Sequence, residues 1–135
     1  MQFLIILNLS ITLMMLGIIW FVQLIHYPLF SYADLENFKV FHSQHTRRIT
    51  LLVAPLMVSE AFIASLVLIS MPTLTSFLGI SILVFIWACT FFIQVPIHNK
   101  LNNQFDSKLF HHLLKSNWFR TIGWSIRTVS CFLLI

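Results

Sequence analysis

Charge is the scarcest commodity in this sequence. Lys and Arg number 8 and Asp and Glu only 4 in 135 residues, 9% of the chain, where soluble domains carry about a quarter. That shortage excludes an ordinary water-soluble domain. It also excludes a pair of carboxylates sharing one site, because Glu60 alone falls inside an apolar run. Glycine is almost as rare, with three residues in all, so no Gly-rich phosphate-binding loop is present. The two cysteines, Cys89 and Cys131, sit inside apolar stretches with no histidine beside them. They read as small buried hydrophobes rather than as nucleophiles. There is no C-x-x-C, no haem-attachment motif, no H-E-x-x-H and no Ser-His-Asp arrangement. The formal net charge of +4 does not imply nucleic acid; it is the loop charge that orients membrane proteins.

What fills the chain instead is hydrocarbon: 59% of residues are hydrophobic and the mean hydropathy is +0.90. A membrane span takes about 20 mostly apolar residues. Four segments qualify, at about 3–25, 49–70, 76–97 and 118–135. The predicted fold is all-α, a single integral membrane four-helix bundle in contact with the lipid bilayer. The first segment has no Lys or Arg ahead of it and no small-residue cleavage site after it, so it reads as a retained helix. Two amphipathic stretches, about 33–41 and 105–114, are expected to form short helices at the membrane surface, with His111 and His112 toward headgroups or water.

Lys39, Arg47 and Arg48 lie between spans one and two, and Lys100, Lys108, Lys115 and Arg120 lie between or at the start of spans three and four. The connection 71–75 and both termini have no Lys or Arg. The positive-inside rule therefore places both long loops in the cytoplasm and both termini outside. Sliding the sequence over itself by 72 residues matches His26 with His98, Asp34 with Asp106 and Arg48 with Arg120. Those scarce residues suggest two repeated helical hairpins in parallel orientation, related by an axis along the membrane normal.

At about 100° per residue each span shows one polar stripe. Span one offers Asn8, Gln23 and His26; span two His42, His45 and Glu60; span three Trp87, Gln94 and His98; span four Asn117, Arg120, Trp124, Arg127 and Cys131. Polar residues at membrane depth face the bundle interior or a wet cavity. Glu60 and Arg127 lie deepest, and a lone charge there is costly, so the two are expected to form an ion pair. Pro55, one turn before Glu60, frees a backbone carbonyl and is expected to bend its helix.

The histidines carry the sharpest expectation. His42 and His45 share a helix face, and His26 and His98 are related by the repeat, so together they offer nitrogen ligands for iron or copper, less suitably zinc, or for haem. Gln23, Gln94, Asn117, Trp118 and Arg120 would surround those ligands or hold substrate, Arg120 by gripping an anionic group. The alternative for any single histidine is a hydrogen bond to a headgroup or neighbouring helix end.

The stretch from Phe92 to Arg127 carries a family likeness. "QVPIHNKL" closing one span, then "FD", then "SNWFRTIGWSIR" opening the next resembles the small four-helix membrane proteins of the anthrone oxygenase-like group. That group shares a Pro-x-(Asn or His)-x-x-Leu helix end followed by a helix start bearing Trp and Arg. The resemblance implies oxidation or oxygenation of a hydrophobic, aromatic substrate, and highlights Pro96, His98, Asn99, Asn117, Trp118 and Arg120. The leading expectation is a membrane-embedded, metal- or haem-dependent redox enzyme acting on a hydrophobic small molecule at the cytoplasmic face. A non-catalytic subunit or assembly factor of a larger membrane complex or homo-oligomer is the second, and a proton or small-solute carrier built on Glu60–Arg127 the third.

Overall fold

The computed structural model describes residues 1–32 and 35–135. Ala33 and Asp34 lie outside the described residues, and with them the Asp34–Asp106 match and the start of the 33–41 stretch. The described chain is helical with no strand, and it forms four rods. The first is α1 (Gln2–Phe21), a wide π turn (Val22–His26) and α2 (Tyr27–Phe30). The second is α3 (Leu35–Ser70). The third is α4 (Leu74–Cys89), a second π turn (Thr90–Gln94) and α5 (Val95–Asn103), and the fourth is α6 (Ser107–Phe132).

Three rods are long and apolar enough to cross a membrane: Gln2–Phe30, Glu36–Ser70 and Leu74–Asn103. The sequence reading counted a fourth span at 118–135. The fourth rod, α6, falls below that apolar threshold because it is built inside out. Ser116, Asn117, Arg120, Thr121, Arg127, Thr128 and Ser130 are buried, whereas Trp118, Phe119, Ile122, Ile126, Val129 and Phe132 face outward. Its mean hydropathy is diluted by groups that face the bundle interior.

Of the amphipathic stretches expected as separate surface helices, residues 35–41 and 107–114 are instead the first turns of α3 and α6. No Pro or Gly interrupts 41–49 or 114–118, and a helix once nucleated continues at little cost. Asp106 starts α6 by accepting from the backbone N–H groups of Lys108 (2.8 Å) and Leu109 (3.1 Å). Thr73 starts α4, its Oγ1 accepting from Ser76 N–H at 3.2 Å while Ser76 Oγ accepts from Thr73 N–H at 2.9 Å. Both are side-chain caps on otherwise orphaned donors.

The rods stand in a square, α1 against α3 and α6, and α4 against α3 and α6. Glycine permits the closest approach. A Cβ at Gly123 would lie 2.7 Å from Ile86 Cγ1, so only a missing side chain lets α6 reach α4. Trp124, Ile86, Met15, Ile19 and Met57 fill the middle of the square, and Tyr27, Phe30, Phe38, Leu101, Phe110 and Leu113 fill one end.

Each π turn ends immediately before an X-Pro step. Tyr27 N–H bonds back to Val22 O, and Val95 N–H to Thr90 O, five residues rather than four. Pro28 and Pro96 follow, each lacking an N–H, and the widened turn accommodates the ring that would otherwise clash with the preceding turn. These matching devices lie 68 residues apart, one helical turn short of the offset that aligns His26 with His98.

Candidate functional site

The wide turn before Pro28 delivers His26 and Tyr27 to the square's interior edge; α3 contributes His42 and His45, and α5, just past Pro96, contributes His98 and Asn102. All four sequence-predicted histidines converge. His26 Nε2 lies 2.7 Å from His45 Nδ1, and His98 Nδ1 lies 3.0 Å from His42 Nε2. The two pairs adjoin, with the His45 and His98 rings 6.5 Å apart. Phe30 packs edge-on against His26 at 4.9 Å, His45 at 5.1 Å and His42 at 5.9 Å.

Asn102 sets the direction of one chain of bonds when its amide oxygen faces His42 and the imidazoles are neutral. Asn102 Oδ1, an acceptor, lies 2.7 Å from His42 Nδ1, so that nitrogen carries the proton and His42 Nε2 accepts. His98 Nδ1–H therefore donates to His42, leaving His98 Nε2 to accept from the Tyr27 hydroxyl at 3.2 Å. A continuous relay runs from Tyr27 through His98 and His42 to Asn102. Tyr27 and Asn102 were missed by the sequence reading. The available signals were Tyr27 beside His26 ahead of a proline, and Asn102 one turn beyond His98.

No group of three or more His, Cys, Asp or Glu side chains among the described residues is arranged to hold a metal ion. The imidazoles have the right chemistry for iron or copper, but His42 and His98 are bonded at both ring nitrogens, and His26 and His45 at the one that joins them. Loading a metal would require both pairs to open.

Beside this cluster lies a cavity of about 360 Å³. Met15, Ile19, Val53 and Met57 form its apolar end, while Tyr27, His45, Gln94, His98, Asn99 and Arg120 give it a polar one, with Trp87 and Thr90 between. Thr50, Ala54 and Val58 of α3 and Phe91 and Val95 of the third rod also line it and are exposed. The cavity thus opens sideways between those two rods.

The remaining sequence-predicted residues divide. Gln23 is buried, and its Oε1 accepts from Asn117 Nδ2 at 2.9 Å. Asn117 Oδ1 in turn accepts from Arg120 at 3.3 Å, and the guanidinium stands 5.3 Å over the Trp124 ring. Gln94 Nε2 donates to Ser116 Oγ at 2.9 Å. Trp118 belongs elsewhere, on the outer face against Trp20 with ring centroids 5.7 Å apart. His111 and His112 are exposed.

Farther along the bundle, Arg127 Nε donates to Glu60 Oε1 at 2.7 Å. Glu60 also accepts from Thr12 (2.8 Å) and from Trp124 Nε1 (3.0 Å), and Arg127 donates to Gly79 O (2.7 Å) and Asn8 Oδ1 (3.1 Å). Both side chains are essentially buried, at 0% and 1% exposure, with their polar atoms satisfied. The chemistry of such a closed network is to tie the four rods together in one register. No family model, curated protein or solved structure matches this chain.

Proposed function

We propose that this protein is a membrane-embedded redox enzyme of oxidase or oxygenase type that acts on a hydrophobic small molecule held in the cavity. The observation that carries the reading is the Tyr27–His98–His42–Asn102 relay ending on an apolar cavity that opens sideways between two apolar rods. A substrate dissolved in lipid enters without crossing water. Oxidation of such a substrate releases protons inside a water-poor pocket, and tyrosine and imidazole accept and pass them on. Dioxygen, itself soluble in the apolar phase, takes the two electrons and, with the two protons that Tyr27 and His98 hand across the pocket, leaves as hydrogen peroxide. The likeness of 92–127 to the anthrone oxygenase-like group supports the same class of chemistry. The histidines serve as proton carriers, bonded to one another and to Tyr27 and Asn102.

The reading places the chain as a four-helix membrane bundle of two parallel hairpins, with both long loops cytoplasmic and both termini outside. Loop charge supports that orientation, and the π turn followed by proline in the first and third rods supports the duplication. The carrier reading is weaker, since Glu60 and Arg127 are locked into their network and do not line the cavity beside the histidines.

The test is oxygen uptake by the purified protein in lipid nanodiscs, against a panel of hydroxyaromatic and lipid-like substrates. Tyr27→Phe and His98→Ala should each lower turnover by about 10²–10⁴-fold while leaving the helical content intact. No uptake with any substrate, or uptake unchanged in both variants, would overturn the proposal.

A further inference from the structure

Three buried polar atoms have no partner among the described residues: Arg120 Nε, Trp87 Nε1 and Gln94 Oε1. All three residues line the same cavity. Buried polar groups in folded proteins are nearly always paired, so three orphans around one space point to a molecule that belongs there.

Their chemistry describes its head. Arg120 is a permanent cation, only 8% exposed, and no carboxylate is paired with it among the described residues. Burying a guanidinium without a counter-ion is costly, and an anion brought by a ligand removes that cost. Trp87 offers a second N–H. Gln94 is oriented by its neighbour: the Ser116 hydroxyl donates to backbone carbonyls at His112 and Leu113, so its oxygen accepts from Gln94 Nε2. The amide oxygen of Gln94 is therefore the atom left over, and it takes a donor.

We propose that the cavity binds a single-chain amphiphile with a carboxylate head, the carboxylate against Arg120 and Trp87 and the chain running toward Met15 and Met57. Gln94 favours a hydroxyl on the carbon next to the carboxylate, so an α-hydroxy acid binds better than the plain acid. The cavity volume of about 360 Å³ lies at the small end of the range for small-molecule sites, about 300–1,000 Å³, which suits one chain rather than a two-chain phospholipid. This inference rests on the cavity being the substrate site and names the class of molecule it takes.

The test uses the full chain in nanodiscs of neutral phosphatidylcholine, with quenching of tryptophan fluorescence by chain-brominated stearic acid and by the matching brominated alcohol. The acid should quench saturably and bind roughly 30-fold or more tightly than the alcohol, and Arg120→Gln should bring the acid down to the alcohol's affinity. Arg120→Lys keeps the charge and should retain part of the preference even if the glutamine variant fails to fold. Ala54→Phe, at the cavity mouth, should abolish binding of both. Equal affinities for acid and alcohol would overturn the carboxylate inference but leave the cavity as a hydrophobic substrate site. Saturable binding of neither, or acid binding indifferent to Ala54→Phe, would overturn both.

Discussion

Arg120 and Arg127 lie two turns apart on α6, both buried, yet among the described residues only Arg127 is paired with a carboxylate, its Nε 2.7 Å from Glu60 Oε1. The two cations thus serve different ends. Arg127 and Glu60 neutralise each other where a lone charge is least tolerable, while Arg120 faces a cavity with its Nε unpaired.

Glu60→Gln should destabilise the bundle by about 3–5 kcal/mol, because it strands the Arg127 charge in the interior. Replacing both residues with methionine should cost much less than the sum of the single changes. Thermal unfolding in mild detergent measures the cycle. Additive losses would mean that the pair does not act as a unit.

The histidine pairs predict the metal content. With His42 and His98 each bonded at both ring nitrogens, the purified protein should carry no stoichiometric iron, copper or zinc and show no Soret band. Elemental analysis and a visible spectrum decide it. Metal held by the natural chain and lost in both His26→Ala and His98→Ala would show that the pairs open, and would restore a metal centre to the mechanism.

Orientation is checked by labelling single cysteines in a chain whose Cys89 and Cys131 have been replaced by alanine. A cysteine at Thr73 should react with an impermeant reagent from outside, and one at Asn103 only from the cytoplasmic side. The opposite pattern would invert the bundle and put the histidine cluster at the outer face.

Much of the outline was legible in the sequence because it depends on composition and period. Long apolar runs mark the rods, and the stripes on α3 and α6 mark the buried faces: His42, Glu60, Asn117, Arg120, Trp124, Arg127 and Cys131 are all buried. Helix continuity is hidden after 35–41 and 107–114, where patterning changes from amphipathic to apolar but no Pro or Gly enforces a break. Trp118 lies on the outer face because a one-residue step along a helix turns a side chain by about 100°, which carries it out of the buried stripe that holds Asn117.

The sequence by itself determined that this chain is helical, apolar enough to meet a bilayer, and short of nearly every polar group except a few that recur on one face of each rod. Periodicity carries that information locally, within each helix. Only the tertiary structure decided which polar groups meet. The π turns before Pro28 and Pro96 shift the helical phase of everything beyond them, and no local pattern records by how much. That shift lies behind Tyr27 reaching His98 and His98 reaching His42. Pairings between residues 27 and 98, or 60 and 127, depend on how four rods pack, which no single rod encodes.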